Sequence, residues 1–84
     1  MIEEITIYTT PNCKYCQEAK NIISKYFIEY NEINLKKKEN RKAREFYRSL
    51  GIKTAPVIVI KSNGEEIILS EYDSEMLEEM IESA

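Results

Sequence analysis

Two rhythms organise the apolar residues of this 84-residue chain. Glu3 to Thr9 reads Glu-Glu-Ile-Thr-Ile-Tyr-Thr, with Ile5 and Ile7 on one face, which predicts a strand. Thr10-Pro11-Asn12 breaks it. From Cys13 to about Phe27 the residues Cys16, Ala19, Ile22, Ile23 and Tyr26 recur at spacings of three and four, the stripe of an amphipathic helix. Ile28 to Asn34 alternates Ile28, Tyr30 and Glu32 against Glu29, Asn31 and Ile33, a weaker pattern that reads as a second strand. Between Lys37 and Leu50 the positions Ala43, Phe46, Tyr47 and Leu50 return to helical spacing, and Gly51 stands where a left-handed C-terminal residue is expected. Val57-Ile58-Val59-Ile60, within Pro56 to Lys61, is a continuous β-branched run suited to a strand covered on both faces. Ser62-Asn63-Gly64 is a turn signal, and Glu65 to Leu69 returns as the second strand of a hairpin. Asp73 is placed to cap a last helix with Met76, Leu77, Met80 and Ile81 on its inner face.

The order is therefore β-α-β, then a helix, a β-hairpin and a final helix. A right-handed crossover pairs the first two strands in parallel and the hairpin adds antiparallel edges. The expected architecture is α/β, a four-stranded mixed sheet flanked by three helices. No repeat, low-complexity tract or linker divides residues 1–84, which are expected to form one domain.

Composition narrows the possibilities. A hydrophobic fraction of 43% supports a modest core, and no stretch approaches the length of a membrane-spanning helix, so a soluble monomer is expected. The net charge of −3 hides a polarity: Lys36 to Lys53 holds eight basic residues, whereas Glu65 to Ala84 holds eight acidic residues and no basic one. A basic segment can mark a nucleic-acid surface, but such binders are basic as domains and carry a recognisable motif, and neither holds here. The solvated face of an amphipathic helix is the preferred reading, with an acidic peptide or complementary protein patch as a secondary one.

Chemistry concentrates at Cys13-Lys14-Tyr15-Cys16, which contains both cysteines of the chain and lies between the first strand and the first helix. At a helix start, unpaired backbone N–H groups aim at the sulfur of Cys13 and favour its thiolate, and Lys14 adds a positive charge. Cys16, three residues later on the same helix face, is within reach of a mixed disulfide formed at Cys13. A structural staple is disfavoured because Met1-Ile2-Glu3-Glu4 shows no secretory n-region or h-region, which also points to the cytoplasm. A zinc site within one chain lacks ligands, since there are two cysteines and no histidine. The polar neighbours Asn12, Lys14 and Gln17 argue against inert buried thiols. About forty residues on, Thr54-Ala55-Pro56 precedes the buried strand. Its proline either opens the strand in trans or forms a cis bond, and the cis form leaves the Ala55 backbone facing outward to bond an extended substrate.

The combination of Ile7-Tyr8-Thr9, Cys13-x-Tyr15-Cys16, Ala19-Lys20 and Thr54-Ala55-Pro56-Val57, in this order and over nearly the whole chain, resembles the glutaredoxin family of the thioredoxin-like superfamily. The resemblance implies a βαβαββα dithiol oxidoreductase with Cys13 as nucleophile, Cys16 as resolving cysteine and Pro56 as a cis-proline beside them. It also implies substrate contacts from Tyr15, Thr54, Ala55, Pro56, Tyr72 and Asp73, no resident cofactor or metal, and glutathione as co-substrate. Three departures matter: Lys14 replaces the usual proline, Thr10 the usual basic residue, and Ser70-Glu71-Tyr72-Asp73-Ser74 the usual Gly-Gly and acidic segment. Each of the last two weakens glutathione binding, the second because it removes the close backbone approach of glycine and adds the charge of Glu71. Asp73 and Ser74 with Lys53 or Arg48 offer an alternative glutathione site. Ala55-Pro56-Val57 and Ser70-Glu71-Tyr72 are also similar to the glutaredoxin-like redoxins that serve ribonucleotide reductase and are recharged by thioredoxin reductase.

The expected function is a thiol–disulfide oxidoreductase for protein or small-molecule disulfides, with ribonucleotide reductase among its implied partners, glutathione or thioredoxin reductase as reductant, and neither nucleic acid nor membrane as partner. Two alternatives belong to other classes: an iron–sulfur cluster shared by two chains through Cys13 with glutathione completing the ligands, and an interaction domain using the basic face of the second helix.

Overall fold

The computed structural model describes residues 2–83. Its elements run β1 (Ile2–Thr9), α1 (Lys14–Lys25), β2 (Asn31–Asn34), a 3₁₀ turn (Lys38–Asn40) leading into α2 (Arg41–Ser49), β3 (Val57–Ser62), β4 (Glu65–Leu69) and α3 (Ser74–Ser83). The sheet order is β2-β1-β3-β4. β1 pairs with β2 in parallel and with β3 antiparallel, and β3 pairs antiparallel with β4. This is the expected four-stranded mixed sheet with three helices.

Strand alternation divides the core between the two faces of the sheet. Ile5 and Ile7 of β1, Ile58 and Ile60 of β3 and Leu69 of β4 pack with Ala19 and Ile23 of α1 and Leu77 and Ile81 of α3. Lys25 Nζ to Glu78 Oε1 (2.6 Å) and Tyr26 Oη to Glu82 Oε1 (2.8 Å) tie the exposed edges of α1 and α3 together. On the opposite face, Tyr47 of α2 joins Leu35 and Val57 in a smaller cluster bordered by Tyr8 and Ile52. No helix among the described residues is long and apolar enough to cross a membrane.

The turns follow local chemistry. Asn63 and Gly64 both take positive φ (53° and 79°), as a two-residue hairpin requires. Gly51, at φ 72°, closes α2 with its N–H donating to Arg48 O (2.9 Å). The Asp73 carboxylate accepts from the N–H groups of Glu75 (2.9 Å) and Met76 (3.1 Å), capping α3 as expected.

Four expectations need correction. The second strand begins at Asn31, not Ile28, because Phe27 adopts φ 58°, ends α1 and leaves Ile28 and Tyr30 packing against the main core from an unpaired connection. The second helix is a 3₁₀ turn followed by α2 from Arg41. Asn40 Nδ2 donates to Asn34 O (2.8 Å) and Arg44 Nη1 to Leu35 O (2.8 Å), tying the entry to the end of β2. Within its predicted stripe Tyr47 is buried, but Phe46 and Leu50 stay 44% and 40% exposed, since α2 covers only one end of its sheet face. Met76, half exposed, is not on the inner face of α3; that face centres on Leu77 and Ile81, and Met76 lies about 100° round the helix from Leu77.

Truncation of Leu77 to Ala is expected to cost about 2–5 kcal/mol of unfolding free energy, as for a fully buried leucine. Met76→Ala is expected to cost less than about 1 kcal/mol. Urea denaturation of the two variants side by side checks the corrected orientation of α3.

Candidate active site

β1 ends at Thr9, and a short loop turns the chain through Asn12, whose φ of 58° reverses its direction. Cys13 then occupies the N-cap of α1 in an extended conformation (φ −103°, ψ 108°). Its sulfur does what a serine or aspartate oxygen does at most helix starts: it accepts the Cys16 N–H, at 3.1 Å. Cys13 and Cys16 are joined as a disulfide, with Cα atoms 5.2 Å apart. The two sulfurs are not equivalent, since Cys13 is partly exposed whereas Cys16 is 2% exposed in the first turn of the helix.

The Ala55–Pro56 bond is cis. Pro56 is buried immediately before β3, so it opens the strand without having to donate to the ladder. Tyr15, Thr54, Ala55, Tyr72 and Asp73 line one open groove of about 640 Å³ together with Glu18, Glu71, Ser74 and Glu75. The structure thus brings together five of the six residues expected to contact substrate, with Pro56 behind them. Lys53 and Arg48 are not among the groove-lining residues.

Aromatic and acidic groups dominate this groove. The rings of Tyr15 and Tyr72 lie 5.9 Å apart between centroids, and Tyr72 Oη donates to Glu18 Oε1 at 2.6 Å. Burial, and then the Glu18 carboxylate, push the Tyr72 phenol well above its ordinary value, so it stays a neutral donor. Glu18, Glu71, Asp73 and Glu75 place four carboxylates around the groove, and among the described residues no lysine or arginine lines it. The ion pairs among the described residues, Lys20–Glu32, Lys25–Glu78 and Arg41–Glu45, involve none of the four.

The cysteines open onto a different cavity, of about 480 Å³, on the side toward β2. Lys14, Lys20, Glu32 and Thr9 line it alongside both sulfurs. The sequence singled out none of Glu32, Thr9 and Lys20 for this site; Thr9 and Lys20 entered only through the family resemblance. One signal was available: Lys20 follows Cys16 by four residues and so shares its helix face. Glu32 gave no signal, because its place beside the site depends on β2 pairing with β1 in the register Ile7 to Glu32. Among the described residues no cluster of three or more histidine, cysteine, aspartate or glutamate side chains is arranged to hold a metal ion.

The family model for glutaredoxin matches residues 5–68. No curated protein matches the sequence significantly. Among solved structures, the glutaredoxin-like protein NrdH-redoxin from Escherichia coli superposes with a TM-score of 0.74 at 24% identity, over 93% of this chain and 95% of that one. The thioredoxin-like protein BC3987 gives 0.69 at 22% identity, over 92% and 99%. A glutaredoxin from Brucella melitensis gives 0.63 at 27% identity, over 99% and 83%. With the family match spanning both the cysteine pair and the cis-proline segment of this thioredoxin-like fold, the chain belongs to the glutaredoxin family, and its Cys13–Cys16 pair at the start of α1 fits a thiol–disulfide oxidoreductase.

Proposed function

We propose that this protein reduces disulfides of proteins and small molecules by dithiol exchange, with Cys13 attacking, Cys16 resolving and thioredoxin reductase restoring the pair. The observation that carries the reading is the unequal placement of the two sulfurs. Cys13 is the partly exposed one, caps α1 and accepts a backbone N–H; Cys16 lies buried one turn further in. A helix N-terminus favours negative charge on the capping sulfur, and Lys14 in the next position adds to that field. In the forward direction the Cys13 thiolate attacks one sulfur of the substrate disulfide and expels the other as a thiolate. Cys16 then displaces the remaining substrate sulfur, leaving Cys13–Cys16 oxidised and the substrate disulfide reduced by two electrons.

The groove supports a protein reductant over glutathione. Glutathione brings two carboxylates against one ammonium, and the wall its carboxylates would meet already holds Glu18, Glu71, Asp73 and Glu75 without a lining cation among the described residues. The α3 N-terminus, otherwise a ready anion site, has Asp73 accepting from two of its N–H groups. The residues present therefore fit glutathione poorly as a tightly held co-substrate. NrdH-redoxin from Escherichia coli, similar in fold, is described as having a thioredoxin-like activity profile, which accords with this choice. The disulfide of ribonucleotide reductase is among the proposed protein substrates.

In the reduced protein, ultraviolet titration is expected to place the Cys13 thiolate below the ordinary thiol value of about 8.5. Cys13→Ser is expected to abolish disulfide reduction, whereas Cys16→Ser retains only a single-sulfur reaction that stops at the mixed disulfide. With NADPH as the electron source, thioredoxin reductase is expected to reduce the Cys13–Cys16 disulfide at least about tenfold faster than glutathione with its reductase, the factor for about 1.4 kcal/mol of charge mismatch. Equal rates, or a preference for glutathione, would overturn the assignment of the reductant.

A further inference from the structure

Dithiol exchange fixes which sulfurs react but not which disulfides reach them. The groove lies beside the reacting pair: Tyr15 stands between the two cysteines, Ala55 precedes the cis-proline, and both line it. That position makes it the substrate groove, and its charge and rings govern what it admits.

Negative charge reaches the groove from both walls. Helix α1 contributes Glu18, and the start of α3 with the segment before it contributes Glu71, Asp73 and Glu75. All four are exposed. No lining cation offsets them among the described residues: Lys14 lines the cavity on the other side of the first helical turn, and Lys53, next to Thr54, is not part of the groove wall. The positive end of α3 is covered as well, since the Asp73 carboxylate accepts from the N–H groups of Glu75 and Met76. An anionic segment therefore meets repulsion along the groove, whereas a cationic one is attracted.

The rings make a second, independent feature. Tyr15 is 57% exposed, and its ring centroid lies 5.9 Å from that of Tyr72. Tyr72 is in turn held by its bond to Glu18 Oε1, so an open aromatic face and a carboxylate stand side by side. A guanidinium or ammonium suits such a pair, because the ring face attracts the charge while the carboxylate accepts the N–H groups. The chain makes a contact of this kind elsewhere, with Lys25 Nζ 5.5 Å from the ring centre of Tyr26. Tyr15 is only two residues along the helix from Cys13, so the substrate positions that meet the rings are those within about two residues of the attacked cysteine.

We propose that this groove selects disulfides set in basic protein segments, seating an arginine or lysine that neighbours the target cysteine on the Tyr15–Tyr72 pair among the groove carboxylates. The inference rests on the reading of the Cys13–Cys16 pair as a thiol–disulfide oxidoreductase. The reaction is the same exchange: the Cys13 and Cys16 thiols give up two electrons and two protons and become a disulfide, and the substrate disulfide takes them up and becomes two thiols. Glu71 and Glu75 act on specificity through charge, and Tyr15 and Tyr72 by offering the cation a surface.

Single-turnover reduction of symmetric peptide disulfides by the fully reduced protein tests this. The peptides carry arginine, serine or glutamate at the two positions on each side of one cysteine, and quenched samples are resolved by chromatography. Each rate is divided by that of dithiothreitol with the same peptide, which removes the effect of the flanking charge on the sulfur itself. The normalised rate for the arginine peptide is expected to exceed that for the glutamate peptide at least about tenfold at low ionic strength, with serine between them. At about 1 M salt the preference is expected to shrink to about twofold. Glu71→Gln with Glu75→Gln is expected to cut it to below about threefold, and Tyr15→Leu to lower it about threefold. Glu29→Gln with Glu65→Gln removes the same charge outside the groove and is expected to leave the preference in place. Each preference is a ratio measured on one protein, so a general loss of activity does not imitate a loss of selectivity. Equal normalised rates for the arginine and glutamate peptides, a preference untouched by either groove variant, or the same loss in the Glu29/Glu65 variant would overturn this inference while leaving the oxidoreductase standing. Failure to reduce any of the peptides would overturn the oxidoreductase reading itself.

Discussion

The pairing of β1 with β3 is the constraint on which the rest of this molecule depends. In its register Ile5 lies opposite Ile60 and Ile7 opposite Ile58, so four essentially unexposed isoleucines form the central seam of the main core. Side chains alternate along a strand, so a slip of one residue would turn this set away from α1 and α3 and bring Thr6, Tyr8, Val57 and Val59 inward. The same register ends with Tyr8 opposite Val57. The loop that delivers Cys13 and the segment Thr54-Ala55-Pro56 therefore leave the sheet at the same end, although about forty residues separate them in the chain.

At that end one residue serves the helix and the chemistry together. An N-cap must hold a non-helical backbone and present an acceptor to the N–H groups that begin the helix, and Cys13 meets both requirements with sulfur as the acceptor. In the proposed cycle the interaction that begins α1 is also the one that favours negative charge on the attacking sulfur. The departures of this chain from its family, Lys14 in place of proline among them, leave that arrangement intact.

Charge separates the two sides of the first helical turn. Toward α3 lies an aromatic groove with four carboxylates and, among the described residues, no lining cation; toward β2 lies a cavity in which a lysine and a threonine both bond one glutamate. In the proposed cycle the groove receives the substrate and reductant. The eight acidic residues from Glu65 onward and the eight basic ones between Lys36 and Lys53 give the chain its polarity, but only the acidic set reaches the groove, through Glu71, Asp73 and Glu75.

Local chemistry made much of this legible in the sequence. Alternation and helical spacing located all four strands and three helices, Asn63-Gly64 marked the hairpin, Gly51 the end of α2 and Asp73 the cap of α3, because each of these depends on residues close in the chain. The spacing of Cys13 and Cys16 needed only a helix start to place both sulfurs together. What the tertiary structure alone decided depends on partners distant in sequence: the late start of β2, the outward turn of Met76, the exposure of Phe46 and Leu50, the cis form of the Ala55–Pro56 bond and the meeting of Glu32 with Lys20 and Thr9. A periodicity states which residues share a face, but only the packing of one element on another determines how much of that face is covered, and only strand register brings a glutamate on β2 beside a cysteine on α1.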